Sequence, residues 1–271
     1  MQVPGRGTQG GAVPEEARSL RGVARWALLY QRVGRAALQP LTERSSASGP
    51  EQEEASDEKA RWRLGEPLRE SLRFLRATLF GDFPAAVMRS RESSEAPVVV
   101  LSDAMFKPPV TAHVAFVVWV PLRTGGGKLA FAESGLPREM IAFFEALRAK
   151  STYICQAEEV GLAAPYFSEL AQSMQGRDVI HFADNKAANA GAINGASSSP
   201  DMARIVSALH LRWAELRVDP WVEFVRSKAN IADLPSRVPD VGVAEATRLL
   251  RAMGAVRVPF VMPPYRLWGG A

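Results

Sequence analysis

Four carboxylates carry the chemistry this sequence could perform. Asp103 follows the apolar run VVVLS, Glu158 lies inside ICQAEEV, Asp184 closes IHFAD, and Asp233 sits in NIADLPSR. Two aspartates at the ends of neighbouring strands would repel each other and raise each other's pKa unless a cation lay between them. Oxygen-only ligands suit a hard ion such as Mg²⁺. Two such ions, about 4 Å apart, can activate a water and stabilise the leaving oxygen of a phosphodiester. Each residue also has a plainer reading. An Asp at a strand end is commonly a turn or cap residue; Asp184 before Asn185 suits a helix start, and Asp233 fits a capped turn as well as a last metal ligand. Helical spacing places Glu158 in line with Ile154 and Leu162, on the sheet-facing side, with Glu159 turned more outward.

Positioning such a set requires strands that end together and a helix laid against them. APVVVLSDA, HVAFVVWVPL and LAFAES read as three strands of an antiparallel meander. The TGGGK between the last two lacks the spacing of a phosphate loop and reads as a hairpin turn. PREMIAFFEALRAK and TYICQAEEVGLAAPYFSELAQSM are helical, the second interrupted near Pro165. RDVIHFADN is a fourth strand and KAANAGAINGA a short helix of small residues. SSSPDMARIVSALHLRWAELRV is a longer helix with Ser199 as N-cap and Pro200 at its first position, and PWVEFVRS is a fifth strand. This order predicts an α/β fold with a five-stranded mixed sheet and flanking helices. In such sheets functional groups gather beyond the carboxyl ends of the central parallel strands.

Around that unit the texture differs. Residues 1–17 are rich in Gly and Pro and are expected to be disordered. Helices over 19–41 and 67–83 flank a polar, acidic linker around 45–58, so residues 18–95 read as a small helical segment. Residues 241–271 read as a C-terminal helix and tail. The chain has 33 Lys and Arg against 29 Asp and Glu, a net charge of +4, which is compatible with nucleic acid. A single cysteine, Cys155, excludes a disulfide framework and a cysteine zinc site, and an intracellular setting (nucleus or cytoplasm) follows. Its place on a helix predicts burial. No apolar run reaches the roughly 18 residues of a membrane span. Ser102 has no His–Asp set to make it a nucleophile. His113, His181 and His210 fall inside predicted elements and read as structural, and Trp213 and Trp221 read as core.

Together LSDA, ICQAEEV, HFADNKAA and VRSKANIADLPSR resemble the ribonuclease H domain of retroelement reverse transcriptase–ribonuclease H polyproteins, of the tyrosine-recombinase type. S-D-A after a strand, Q-A-E in a helix, D-N after a strand and N-x-A-D-x-P-S-R near the end match that family's signatures in its order. The resemblance covers about residues 96–240, and the helices before it are similar to the family's thumb-like segment. It implies a ribonuclease H-like fold, two Mg²⁺ ions (or Mn²⁺), and cleavage of the RNA strand of RNA–DNA hybrids. Asp103, Glu158, Asp184 and Asp233 are then the catalytic, metal-binding residues. Asn185, Lys186, Arg226, Lys228 and Arg237 are the implied nucleic-acid contacts. No Y-x-D-D polymerase motif occurs, so a reverse transcriptase polymerase domain is an implied partner. The chain departs from the family in one respect: many ribonucleases H have a histidine before the last Asp, and here none follows His210. Two other readings stay open. One is a catalytically inactive nucleic-acid-binding remnant of this fold, the other a different nuclease on the same scaffold.

Overall fold

The computed structural model describes residues 14–27, 35–38, 41–42, 66–80, 95–107, 111–147, 153–197, 199–218 and 220–264. The acidic linker expected around 45–58 and residues 1–13 lie outside them. Helix α1 (Pro14–Ala27) begins five residues before the Ser19 start read from the sequence, so residues 14–17 are helical rather than disordered. Pro at the first helical position and Glu15 and Glu16 in the first turn suit a helix N-terminus. Helix α2 (Glu66–Phe80) follows. Ala17, Ala24, Leu41 and Leu75 form a small cluster of their own. A 3-10 turn at Arg35–Leu38 packs against the main body, where the Arg35 guanidinium donates to the Asn194 carbonyl at 3.4 Å.

The main body is built on a sheet. Strands β1 (Val98–Lys107), β2 (Thr111–Pro121) and β3 (Gly127–Gly135) form the antiparallel meander. TGGGK is the β2–β3 turn: Gly125 and Gly126 adopt φ of 91° and 71°, where a side chain would strain the backbone. Strands β4 (Val179–Ala183) and β5 (Trp221–Phe224) lie parallel outside β1, as strands reached through helical crossovers do. The order is β5–β4–β1–β2–β3–β6. The α/β fold is thus the expected mixed sheet with flanking helices. Its sixth strand, β6 (Val256–Arg257), comes from the C-terminal segment and pairs in parallel with β3.

Helices cover both faces. Helices α3 (Arg138–Leu147), α4 (Ile154–Phe167), α5 (Ala171–Met174), α6 (Lys186–Asn194) and α7 (Pro200–Leu216) belong to the larger layer. Val100, Val114, Phe116 and Val118 of the sheet meet Ala157, Val160 and Leu162 of α4 in the main core. Helices α6 and α7 pack on α4 in turn, so every residue from Gln156 to Tyr166 is buried. Pro165 lies in the last turn of α4 without breaking it. Ser199 caps α7 by position, yet its hydroxyl donates to the Asp201 carboxylate instead of accepting a helix amide. Alternation in β2 and β3 turns Val117 and Phe131 to the other face. There they pack with Ala232 and Leu250, from the segment holding α8 (Asp233–Ser236) and α9 (Val238–Ala252). The C-terminal helix therefore starts at Val238, and a non-helical Gly242, φ 80°, kinks it.

Trp213 is core as expected, but Trp221 is 69% exposed. It opens β5, the edge strand of the sheet among the described residues, and its indole N–H reaches Glu223 at 3.3 Å. Among the described residues no helix is long and apolar enough to cross a membrane.

Candidate metal centre and nucleic-acid interface

Parallel pairing of β1 with β4 runs in register from Val98–Val179 to Ser102–Ala183. The next residue on each chain is a carboxylate, Asp103 and Asp184. Strand β1 continues to Lys107 on β2 alone, so Asp103 marks the end of its pairing with β4 rather than its own end. Helix α4 brings Glu158 to the same point. One carboxylate oxygen from each of Asp103, Glu158 and Asp184 lies within 4.8 Å of the others. Close packing of α4 on β1 makes this possible, since a Cβ at Gly161 would stand 3.2 Å from the Asp103 carbonyl oxygen.

Asp103 and Glu158 are buried, while Asp184 is half-buried. Burial pushes the Asp103 carboxyl up to about 7; the Ser236 hydrogen bond opposes this, and the charges of Asp184 and Asp233 add to it. Glu158 is raised well above the usual carboxylate range, first by burial and then by Asp103 and Asp184. Its Oε2 is buried without a hydrogen-bond partner. Three convergent carboxylates, one with an unsatisfied buried oxygen, are costly on their own and are the donor set a hard divalent cation takes.

The NIADLPSR loop closes the site from the sheet's other face. Asn230 is buried, and its amide N–H donates to the Ser102 carbonyl at 2.9 Å and lies 3.4 Å from Asp103 Oδ1. Its Oδ1 accepts from the Ala232 amide at 3.2 Å, making a local turn. Asp233 stands outside the three-carboxylate group, held by two 2.8 Å bonds from Arg237. It is near enough for its charge to bear on Asp103. Ser236 is fully buried and bonds the Asp233 carbonyl at 3.0 Å.

The remaining residues singled out from the sequence are dispersed around this group. Asn185 caps α6, its Oδ1 accepting from the Ala187 and Ala188 amides at 3.0 and 3.1 Å. It, not Asp184, is the cap, and its oxygen is thereby committed. Lys186, Arg226 and Lys228 are exposed nearby in the chain, and Arg237 is engaged by Asp233. Glu159 contradicts its expected outward position: it is wholly buried, and neither carboxylate oxygen has a partner. The reason is the second helical layer, which covers the outer side of α4; Glu159 Oε2 would stand 3.2 Å from a Cβ at Gly191 on α6. Cys155 is half-buried rather than buried.

The histidines are structural, as read. His181 Nε2 lies 2.9 Å from Ser102 Oγ, and its Nδ1 lies 3.0 Å from the Tyr166 hydroxyl. Burial lowers His181 to about 3, so Ser102 faces a neutral, enclosed ring. His210 meets the Ala192 carbonyl at 2.8 Å. His113 lies 3.2 Å from Glu133, which also binds Arg257 of β6. Sequence reasoning gave no role to Asn230, Ser236, Asn189 or Glu133. Asn189 donates to the carbonyl of Ala183, just before Asp184, at 3.0 Å. For Asn230 a signal existed: an Asn three residues before an Asp, ahead of a Pro, is a turn-maker.

No family model and no curated protein sequence matches the chain. Solved structures similar to it include the following two. One is ribonuclease H1 from the halophilic archaeon Halobacterium salinarum NRC-1, at 19% identity and a TM-score of 0.37, over 53% of this chain and 96% of that one. The other is the N-terminal ribonuclease H domain of a Mycobacterium tuberculosis protein, solved as a fusion with maltose-binding protein. Its identity is 17% and its TM-score 0.41, over 59% of this chain and all of that one.

Proposed function

We propose that the protein is a metal-dependent endonuclease that hydrolyses the RNA strand of RNA–DNA hybrids. The observation that carries this reading is the convergence of Asp103, Glu158 and Asp184 at the point where β1 and β4 part. These three would hold Mg²⁺, with Mn²⁺ as a substitute and Asp233 at the edge of the site. Two such ions, when bound, supply a water activated for attack and a counter-charge for the leaving oxygen of the phosphodiester. The chain's own residues prepare the site. Burial keeps Asp103 and Glu158 poorly hydrated, so their charged forms depend on a cation. Asn230 and Ser236 fix Asp103, and Asn189 fixes the strand end that carries Asp184. Exposed Lys186, Arg226 and Lys228 suit phosphate contacts, which supply most of the affinity for a duplex. Arg237 restrains Asp233 and adds positive charge beside it. The four motifs quoted above support a retroelement origin with a reverse transcriptase polymerase domain as partner.

Asp184→Asn tests the reading. The variant keeps the side-chain shape but removes a charge that offsets bound cations. It should abolish cleavage of a labelled hybrid in Mg²⁺ while leaving the fold and most hybrid binding intact. Thermal melting in Mg²⁺ and in EDTA completes the test. Equal cleavage by wild type and variant, or equal stabilisation of both by Mg²⁺, would reduce the carboxylates to structural caps and the protein to a binding module.

A further inference from the structure

One exposed aromatic ring lies at the end of β5, on the strand paired with the one that leads to Asp184. Phe224 is the last residue of β5 and pairs with Ala183, the residue before Asp184. It shares a strand face with Val222, which is buried in the main core. Phe224 continues that apolar face and is 42% exposed. Lys186, the first residue of α6, holds its ammonium 5.4 Å from the Phe224 ring centroid. Arg226 and Lys228 follow, both exposed. The neighbouring acid, Glu223, is on the opposite strand face, with its oxygens taken by the Trp221 indole and the Phe224 amide.

We infer that Phe224 and Lys186 form a one-nucleotide subsite beside the metal centre, in which the ring packs on the furanose of a backbone sugar and the ammonium meets its phosphate. The inference rests on the hybrid substrate proposed above. In a paired hybrid the flat faces of the bases are stacked and covered. A wide, shallow minor groove instead presents sugar rings and their hydroxyls to a protein. An apolar ring with a cation fixed over it matches the two parts of a backbone nucleotide, one apolar and one anionic. The cation–π contact also limits the freedom of the Lys186 side chain before binding, which lowers the entropy lost on contact. Alternate neighbours on this edge do not offer the same pair, because Trp221 lies on the other strand face with Glu223.

The test is equilibrium binding of a fluorescent RNA–DNA hybrid in EDTA, where affinity is read without turnover. Phe224→Leu keeps the apolar contact with the core but removes the flat ring, and it should bind roughly five- to tenfold more weakly. Phe224→Tyr should restore binding, and all variants should melt with the wild type. In Mg²⁺ the loss should appear in KM with kcat retained. Lys186→Gln should bind more weakly and show a shallower salt dependence than the wild type. If the wild type binds the hybrid and both Phe224→Leu and Lys186→Gln bind equally well, the subsite is wrong and the nuclease reading stands. If the wild type does not bind the hybrid, the substrate reading fails and takes the subsite with it.

Discussion

Glu159 is wholly buried, and among the described residues neither carboxylate oxygen has a hydrogen-bond partner. Burial raises its carboxyl well above the usual carboxylate range. A raised folded-state value gives stability that is complete below the ordinary carboxylate pKa and is lost as pH rises through the raised one. Glu159→Gln keeps the shape and removes the titration. The variant should match the wild type only below the ordinary carboxylate pKa and melt progressively higher as pH rises above it, giving a flatter curve of Tm against pH. Parallel curves for the two proteins would show that the group does not titrate with folding. Adjacent Glu158 differs in one physical respect: two neighbouring carboxylates, Asp103 and Asp184, can share a cation with it, and among the described residues Glu159 has no such group. Helical spacing alone turned Glu158 toward the sheet, where it meets Asp103 and Asp184. It failed on the burial of Glu159, because burial on the outer side depends on α6 and α7, which arrive from a distant part of the chain.

At the scale of elements, the loop Asn230–Arg237 is held by side chains rather than by ladder bonds. Asn230 reaches the end of β1, Ser236 reaches Asp103, and Arg237 clasps Asp233. Asn230→Ala leaves the Ser102 carbonyl and the Ala232 amide without their partner, which should cost roughly 1–3 kcal/mol. The measurable outcome is a Tm lowered by several degrees, with a higher Mg²⁺ concentration needed for half-maximal cleavage. If stability falls while the Mg²⁺ midpoint holds, Asn230 only anchors the loop. Strands, hairpin and helix order were legible from the sequence because each depends on local alternation, turn glycines and caps. Asp103 and Asp184 were legible because each follows an apolar run, and Glu158 because it sits on an apolar helical face. Loop tethers such as Asn230 were not, since their partners lie on the other side of the domain. Trp221 and β6 escaped for a related reason: exposure at a sheet edge is decided by what fails to pair there.

For the whole molecule, the boundary expected near residue 240 does not separate independent parts. Helix α9 and β6 cover a sheet face that would otherwise expose Val117, Leu129 and Phe131, and Arg257 binds the buried Glu133. A chain truncated after residue 240 should lose cooperative melting or aggregate, as an uncovered apolar sheet face does. Circular dichroism melts of the truncated and full chains would check this. A truncated chain that melts like the full one would mean the segment is only an ornament of the fold.

The pairing of β1 with β4, and the tether from Asn230 to β1, also set an order in time. During synthesis Asp103 emerges early, Glu158 and Asp184 follow, and Asn230 and Asp233 emerge after them all. Parallel pairing across such a separation is slow compared with a hairpin. A nascent chain therefore carries its first acidic residue while the rest of the centre is still unmade. The carboxylate group is complete only once Asp184 has been made, and its tether to β1 only once Asn230 has.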